Sequence, residues 1–373
     1  MILSRPSPDY KTLFLNRETV PLTFDNFSFY SSGRYALLAA LEALKVKAGS
    51  VILLPAYICD SVVATLTSAG FRIVFMDIQE DLQLDPTDVV TMIELHDVKV
   101  LLVVHYFGFP CELSQIVQQC RNRNVKVIED CCHSFLTSER GVPIGKKGDA
   151  AIFSLRKTFP VDDGGALQLN KPYTHELNKD ILLKKPNSNA YLLKRVLEKL
   201  GARSGLVNLY SPSIDALKRR IFGSKMNGVI REIQPVDLLK TKPSFQLKKY
   251  LGSQAYHQKI QLKVAGNYQY LARLLTDSAL KPIVPLLSPG CVPQWIPCFD
   301  ASGKSVDWLR SKGVGASRWP WHELPVEVKS AEEKYPVSCE LDRNLALLPI
   351  HQSVQLRDLR KISSLIDEFS NHV

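Results

Sequence analysis

Apolar residues in the first 170 positions fall into two alternating patterns. Continuous apolar runs at 51–55, 72–77, 98–105, 125–130, 150–155 and 166–169 read as strands, the first stopped by Pro55. Between them, apolar residues recur at helical spacing: Leu37, Leu38, Leu41 and Leu44 within 33–47, then stretches at 60–69, closed by Gly70, and at 113–123. Strands without polar alternation are buried on both faces. Their alternation with helices predicts an α/β fold with a mostly parallel central sheet covered by helices on each side. The runs at 150–155 and 166–169 stand too close together for a helix between them. Ligands in such folds sit beyond the carboxyl ends of the strands. Pro55, Asp77, His105, Asp130 and Leu155 all fall at or near such ends.

The pattern changes after residue 170. Residues 171–243 are basic and only patchily apolar, with Lys184-Lys185, Lys194-Arg195 and Lys218-Arg219-Arg220. Residues 191–200 read as an amphipathic helix whose apolar stripe faces the core or a partner subunit; contact with an anionic membrane surface is the alternative. A long helix at 246–275, strand-like pieces including 292–298, and a final helix at 356–370 predict a smaller α/β domain. At roughly 100–200 residues per domain, the 373 residues divide into a large domain, 1–243, and a small C-terminal domain, 244–373.

Composition narrows the class. The sequence contains no apolar run of the roughly 18 residues that a membrane helix needs, and its first residues lack a signal-peptide core. The eight cysteines show no metal-ligand spacing, and Cys131 and Cys132 are adjacent, an awkward placement for a mutual disulfide. Reduced thiols in a cytoplasmic enzyme, without a metal, are the expectation. A net charge of +10 and a pI of about 9.1 favour anionic ligands, among them nucleotide diphosphates. No nucleic-acid motif accompanies the charge.

Three signals carry candidate chemistry. Lys157 follows the strand at 150–155 and precedes Asp163-Gly164-Gly165. An unperturbed lysine titrates near ~10.4, so imine formation asks for burial and a neighbouring cation such as Arg156 to free the amine. Asp130 ends a buried strand, where a carboxylate would keep a pyridine nitrogen protonated, or would cap the next turn. His133 would hold a phosphate or ring hydroxyl, or fill that turn. Gly33 and Arg34 open a helix whose N–H groups would bind a phosphate, with Ser31 or Ser32 as an ordinary cap in the alternative. Together these are the parts of a pyridoxal phosphate (PLP) site. Two further segments, Arg318-Trp-Pro-Trp-His322 and Leu348-Pro-Ile-His351, either line a substrate pocket or pack as loops.

At these residues the chain resembles the DegT/StrS-type sugar aminotransferases, which are fold-type-I PLP enzymes. The resemblance rests on Ser32-Gly-Arg-Tyr-Ala-Leu, Leu54-Pro-Ala-Tyr-Ile-Cys59, Val74-Phe-Met-Asp77, Val104-His-Tyr-Phe-Gly108, Ile128-Glu-Asp-Cys-Cys-His133, Gly148-Asp-Ala-Ala-Ile-Phe-Ser-Leu155, Asp163-Gly-Gly165 and Leu348-Pro-Ile-His351, in the family's order. It implies a three-layer PLP-transferase fold and a homodimer with shared active sites. Lys157 would be the imine lysine and base, Asp130 the ring-nitrogen partner, and Gly33, Arg34 and Ser154 phosphate contacts, with His133 where the family often has Gln or His. Cys59 stands where many members stack an aromatic ring on PLP, so Tyr57 or Tyr106 is expected to substitute. Asp163 replaces the usual Glu, and the family's glycine- and asparagine-containing segment is not recognisable in 171–243. Tyr106, Arg156, His322 and His351 are substrate candidates. The implied activity is amino transfer, from glutamate, to a nucleotide-linked keto-sugar in polysaccharide or glycan biosynthesis. The alternatives are a PLP-binding scaffold without turnover, or another PLP reaction such as dehydration, against which Lys157 argues.

Overall fold

The computed structural model describes residues 1–15, 26–170, 173, 241–320 and 323–372. His322, the basic clusters of 171–243 and the expected helix at 191–200 lie outside the described residues.

The strands of the first half are β1 (Phe27–Tyr30), β2 (Val51–Pro55), β3 (Arg72–Met76), β4 (Val98–Val104), β5 (Lys126–Asp130), a two-residue hairpin β6 (Ser138–Glu139) and β7 (Val142–Pro143), β8 (Ala150–Ser154) and β9 (Gly165–Leu169). Seven form one sheet in the order β1-β9-β8-β5-β4-β2-β3. β8, β5, β4, β2 and β3 run parallel, whereas β9 pairs antiparallel with β8 and β1 antiparallel with β9. β2 and β8 are buried throughout and β4 exposes Lys99 alone, which is why they read as unbroken apolar runs.

Helices Gly33–Ala43, Asp60–Ser68, Pro86–His96 and Ser114–Asn122 cover the sheet. The sequence pattern missed Pro86–His96, which buries only Val89 and Ile93; Asp85 starts it by accepting the Thr87 and Asp88 N–H groups. From β2 the chain steps outward to β3, and from β4 it steps the other way through β5 to β8. The β2–β4 boundary is therefore the switch point where a crevice opens beyond the strand ends.

The expected long helix at 246–275 is two helices, Phe245–Leu251 and Gln254–Leu274. Gly252-Ser253 breaks it, because the Ser253 hydroxyl caps the second helix by accepting the Tyr256 N–H at 3.2 Å. A three-stranded antiparallel sheet follows: β10 (Lys281–Pro282), β11 (Trp295–Phe299) and β12 (Leu345–Pro349). Helix Leu356–Ser370 packs on Gln254–Leu274.

Two carboxylates tie the sheets' surroundings together. Asp77, beyond β3, accepts the Val337 and Ser338 N–H groups at 2.9 Å each and so starts helix Pro336–Asn344. Asp163 accepts the Ser244 N–H and hydroxyl, both at 2.8 Å. The N-terminus lies against the C-terminal part: Ile2 pairs with Val314, the His351 ring meets the Leu3 carbonyl at 2.9 Å, and the Ser7 N–H donates to Ser353 at 2.9 Å. All eight cysteines are free thiols. No helix among the described residues is long and apolar enough to cross a membrane.

Candidate active site

The crevice beyond the strand ends holds a cavity of about 240 Å³. Its wall gathers Ile58 and Cys59 after β2, Val104 at the end of β4, Asp130 at the end of β5, and Ile152 and Ser154 from β8. Lys157 reaches it from the single-turn helix Leu155–Thr158, and Ser32, Gly33 and Arg34 reach it from the start of helix Gly33–Ala43. The signals that were separate in the sequence thus meet in one space.

The geometry around Gly33 is tight. A Cβ on Gly165 would lie 2.2 Å from the Ser32 carbonyl carbon, so only glycine lets β9 start against this turn. Ser32 occupies the cap position but makes no capping bond, and its buried hydroxyl has no partner among the described residues. The helix therefore presents uncapped N–H groups and a spare hydroxyl. A Cβ on Gly33 would come within 2.9 Å of the Cys132 thiol, so a side chain there would crowd that turn. Arg34 is exposed at the rim.

Lys157 is half-buried, with its amine 2.8 Å from His133 Nε2. His133 stacks on Phe107 with ring centroids 5.6 Å apart, lies edge-on to Trp319, and accepts the Phe107 N–H through Nδ1 at 3.4 Å. Burial, reinforced by the Lys157 charge, holds the imidazole well below its ordinary pKa, so the ring is neutral at neutral pH. A neutral ring has a single N–H. With Nδ1 accepting from Phe107, Nε2 carries that proton and cannot accept from Lys157. If an ammonium donates to Nε2, the ring proton moves to Nδ1 and the Phe107 bond is given up. His133 is thus placed to respond to the proton on Lys157. Asp130 accepts the Cys132 N–H at 2.9 Å, an Asx-type turn that also fixes its carboxylate on the cavity wall.

Strand alternation sends the neighbouring Glu129 to the opposite face of β5. It is buried, takes the His105 Nε2–H at 3.0 Å, and accepts N–H groups of Gly145, Lys147 and Gly148 at 3.0, 2.8 and 2.7 Å. His105 Nδ1 accepts the Cys111 N–H at 3.0 Å, which puts the ring proton on Nε2. Cys131 completes a potential metal-ligand trio with these two, but the carboxylate oxygens are already occupied by N–H donors. Burial alone would raise the Glu129 carboxyl; the His105 hydrogen bond and the backbone donors outweigh it, leaving its pKa below the ordinary value. A carboxyl with a depressed folded pKa stabilises the fold above its unfolded value of about 4.3, and that stabilisation is lost as pH falls through the folded value. Glu129→Leu is expected to cost about 3–5 kcal/mol at neutral pH and to shallow the acid limb of the stability profile. Chemical denaturation from pH 7 downward checks both.

Other expected residues fall elsewhere. Tyr57 and Tyr106 are fully buried and do not line the cavity: the Tyr57 hydroxyl donates to the Trp319 carbonyl, and the Tyr106 hydroxyl donates to the Tyr57 carbonyl at 2.5 Å. Among the described residues, Trp319 and the His133 ring are the aromatic side chains on the wall. Cys59 and the exposed Arg156 do line it. His351 lies instead on the walls of two other cavities, of about 40 and 570 Å³. Sequence reasoning missed Arg5, which lines both the main cavity and the smallest one, and Ser32 and Cys132 as wall residues; Trp319 lies in the segment 318–322, a candidate pocket lining.

The chain was compared with known proteins. Residues 28–195 match the DegT/DnrJ/EryC1/StrS aminotransferase family. GDP-perosamine synthase of Escherichia coli O157:H7 is 32% identical over 143 residues, 38% of this chain and 39% of that protein. Protein MosB of Rhizobium meliloti is 32% identical over 154 residues, 40% of this chain and 30% of that protein. The matched stretch is therefore well under two thirds of either relative. The dTDP-4-dehydro-2,3,6-trideoxy-D-glucose 4-aminotransferase of Saccharopolyspora spinosa aligns over 92% of this chain and 84% of its own length, at 24% identity. Helicobacter pylori PseC, an aminotransferase involved in the biosynthesis of pseudoaminic acid, superimposes with a TM-score of 0.68 at 14% identity, covering 99% of this chain and 98% of its own. The likeness in structure is one of fold, the type I PLP-transferase arrangement of a large, mostly parallel sheet. Residues 28–195 thus resemble the DegT/DnrJ/EryC1/StrS aminotransferase family, and the chain shares the fold of PseC.

Proposed function

We propose that the protein is a PLP-dependent aminotransferase that moves an amino group from glutamate to a nucleotide-linked keto-sugar in polysaccharide or glycan biosynthesis. The observation that carries this reading is one cavity holding the Lys157 amine on neutral His133, the Asp130 carboxylate at a strand end, and an uncapped helix N-terminus with the unpartnered Ser32 hydroxyl. These residues fit the cofactor. A phosphate supplies the acceptors that the Ser32 hydroxyl and the first N–H groups of helix Gly33–Ala43 lack, and Arg34 and Ser154 stand beside them. When bound, PLP supplies an electron sink for bond cleavage at the amine-bearing carbon.

The chain's own residues do the rest. Asp130 keeps the ring nitrogen protonated. Lys157 would hold the cofactor and move the proton at the substrate carbon. His133 orients the Lys157 amine. Cys59 lines the cavity without an aromatic face, and Trp319 supplies an apolar wall. Arg156 and Arg34, exposed at the rim, suit an anionic diphosphate. Relatives named GDP-perosamine synthase and dTDP-4-dehydro-2,3,6-trideoxy-D-glucose 4-aminotransferase support the substrate class. The test is incubation of the PLP-loaded protein with glutamate, followed by assay for 2-oxoglutarate.

We also propose a cytoplasmic homodimer, divided into a large domain, 1–243, and a small one, 244–373. The shared active sites of the family and the amphipathic pattern at 191–200 support the dimer. Sedimentation velocity at micromolar concentration is expected to give a dimer. A fully active monomer would remove this part of the reading.

A further inference from the structure

Beside the main cavity lies a second, much smaller one, and Lys157 and Arg5 are on the walls of both. Gln294, Val292 and Trp295 line the small one and not the main one. Its volume is about 40 Å³. A water needs roughly 10–15 Å³, so the space holds about three water-sized groups, which matches a carboxylate and excludes a sugar or a nucleotide.

The wall contains an unused donor. Gln294 Nε2 is shielded from solvent and has no hydrogen-bond partner among the described residues. A buried amide left this way costs about 1–3 kcal/mol, so the arrangement asks for an acceptor. The residue is held in place by its own backbone, whose N–H donates to the Phe107 carbonyl at 2.7 Å. Phe107 in turn carries the ring on which His133 stacks beside Lys157. Arg5 arrives by a different route. Ile2 and Leu3 are bound to Gly313, Gly315 and His351, and Ser7 to Ser353, so residues 2–7 cross the cavity as a strap fixed at both ends. A guanidinium has five N–H donors and can serve a carboxylate along with another partner.

We propose that this small cavity recognises a carboxylate of the amino-acid donor, with Arg5 and the Gln294 amide as the specificity-determining donors that set it beside Lys157. The inference rests on the aminotransferase reading and deepens it, assigning the donor's anionic group to a pocket separate from the space for the sugar nucleotide.

The test uses the full-length, PLP-loaded protein and its Gln294→Leu, Arg5→Met and Arg5→Lys variants. The first half-reaction is followed with L-glutamate and with its α- and γ-methyl esters. For glutamate, KM is expected to rise about 10–100-fold in Arg5→Met and about 10-fold in Gln294→Leu, with kcat little changed, since a hydrogen bond to a charged group is at stake. For whichever ester masks the recognised carboxylate, wild type and variants should react alike, because the group they read is gone. Arg5→Lys should recover part of the loss. A second readout needs no turnover: maleate, an unreactive dicarboxylate, should raise the melting temperature of the wild type and not of Arg5→Met. The inference is overturned if the variants keep the wild-type KM for glutamate, or if pyrophosphate rather than maleate gives the Arg5-dependent shift. A wild type that reacts with no amine, yet is stabilised by maleate through Arg5 and Gln294, would instead remove the aminotransferase reading and leave the carboxylate pocket standing.

Discussion

The Lys157→Ala protein should fold normally and bind PLP only reversibly, with no cofactor fixed by borohydride. Wild type, reduced in the same way, should carry the cofactor on the peptide containing Lys157. The reason is location. Among the described residues lining this cavity, Lys157 is the one lysine, and it follows directly from the carboxyl end of β8. Removing it deletes the covalent holder and the proton-transfer group together. Turnover should fall by at least the 10²–10⁴-fold, roughly, that positioned acid–base groups contribute. Stability should change little, because the side chain is half-buried and its described hydrogen bond is to His133. His133 provides an independent readout. Lys157 is one of the two causes that depress its pKa, burial being the larger, so an NMR titration of Lys157→Ala should move that value upward while leaving it low. Cofactor found on another lysine would overturn the assignment.

Asp130→Asn carries the second large effect. The amide can still accept the Cys132 N–H through its oxygen, so the turn after β5 and cofactor binding should survive. It bears no charge to keep the ring nitrogen protonated, and the electron sink weakens. Amino transfer should fall on the order of 10²–10³-fold, the scale seen when one electrostatic contact to developing charge is removed. Steady-state rates together with the spectrum of the bound cofactor check both halves. Near-normal turnover would mean that Asp130 only caps its turn.

The residues that the sequence made legible are those whose chemistry and structure are local. β2, β4 and β8 are buried on both faces and therefore write continuous apolar runs; Lys157 follows directly from where β8 stops, and Asp130 ends β5, whose middle is buried. Helix Pro86–His96 had a local signal in Asp85-Pro86 that its weak apolar stripe obscured. β1 is a four-residue edge strand with alternating burial, too short to stand out. The aromatic expectation failed for a geometric reason. Tyr57 and Tyr106 sit next to site residues in the chain, but their hydroxyls are spent on backbone carbonyls and their rings point into the core. Arg5 and Gln294 could not have been found locally. Nothing in Ser4-Arg5-Pro6 marks a binding residue until Ile2 pairs with Val314, and Gln294 reaches the site only through the carbonyl of Phe107.

The central claim is amino transfer to a sugar nucleotide, and a single-turnover experiment tests it most directly. PLP-loaded protein is converted with excess glutamate, freed of small molecules, and offered nucleotide-linked keto-sugars one at a time, with product read by mass spectrometry. The account predicts 2-oxoglutarate in the first step and, with the right substrate, one equivalent of the nucleotide-linked amino-sugar per active site in the second, with return of the original cofactor spectrum. A protein that holds PLP on Lys157 yet yields neither product would contradict the account and leave a cofactor-binding scaffold in its place.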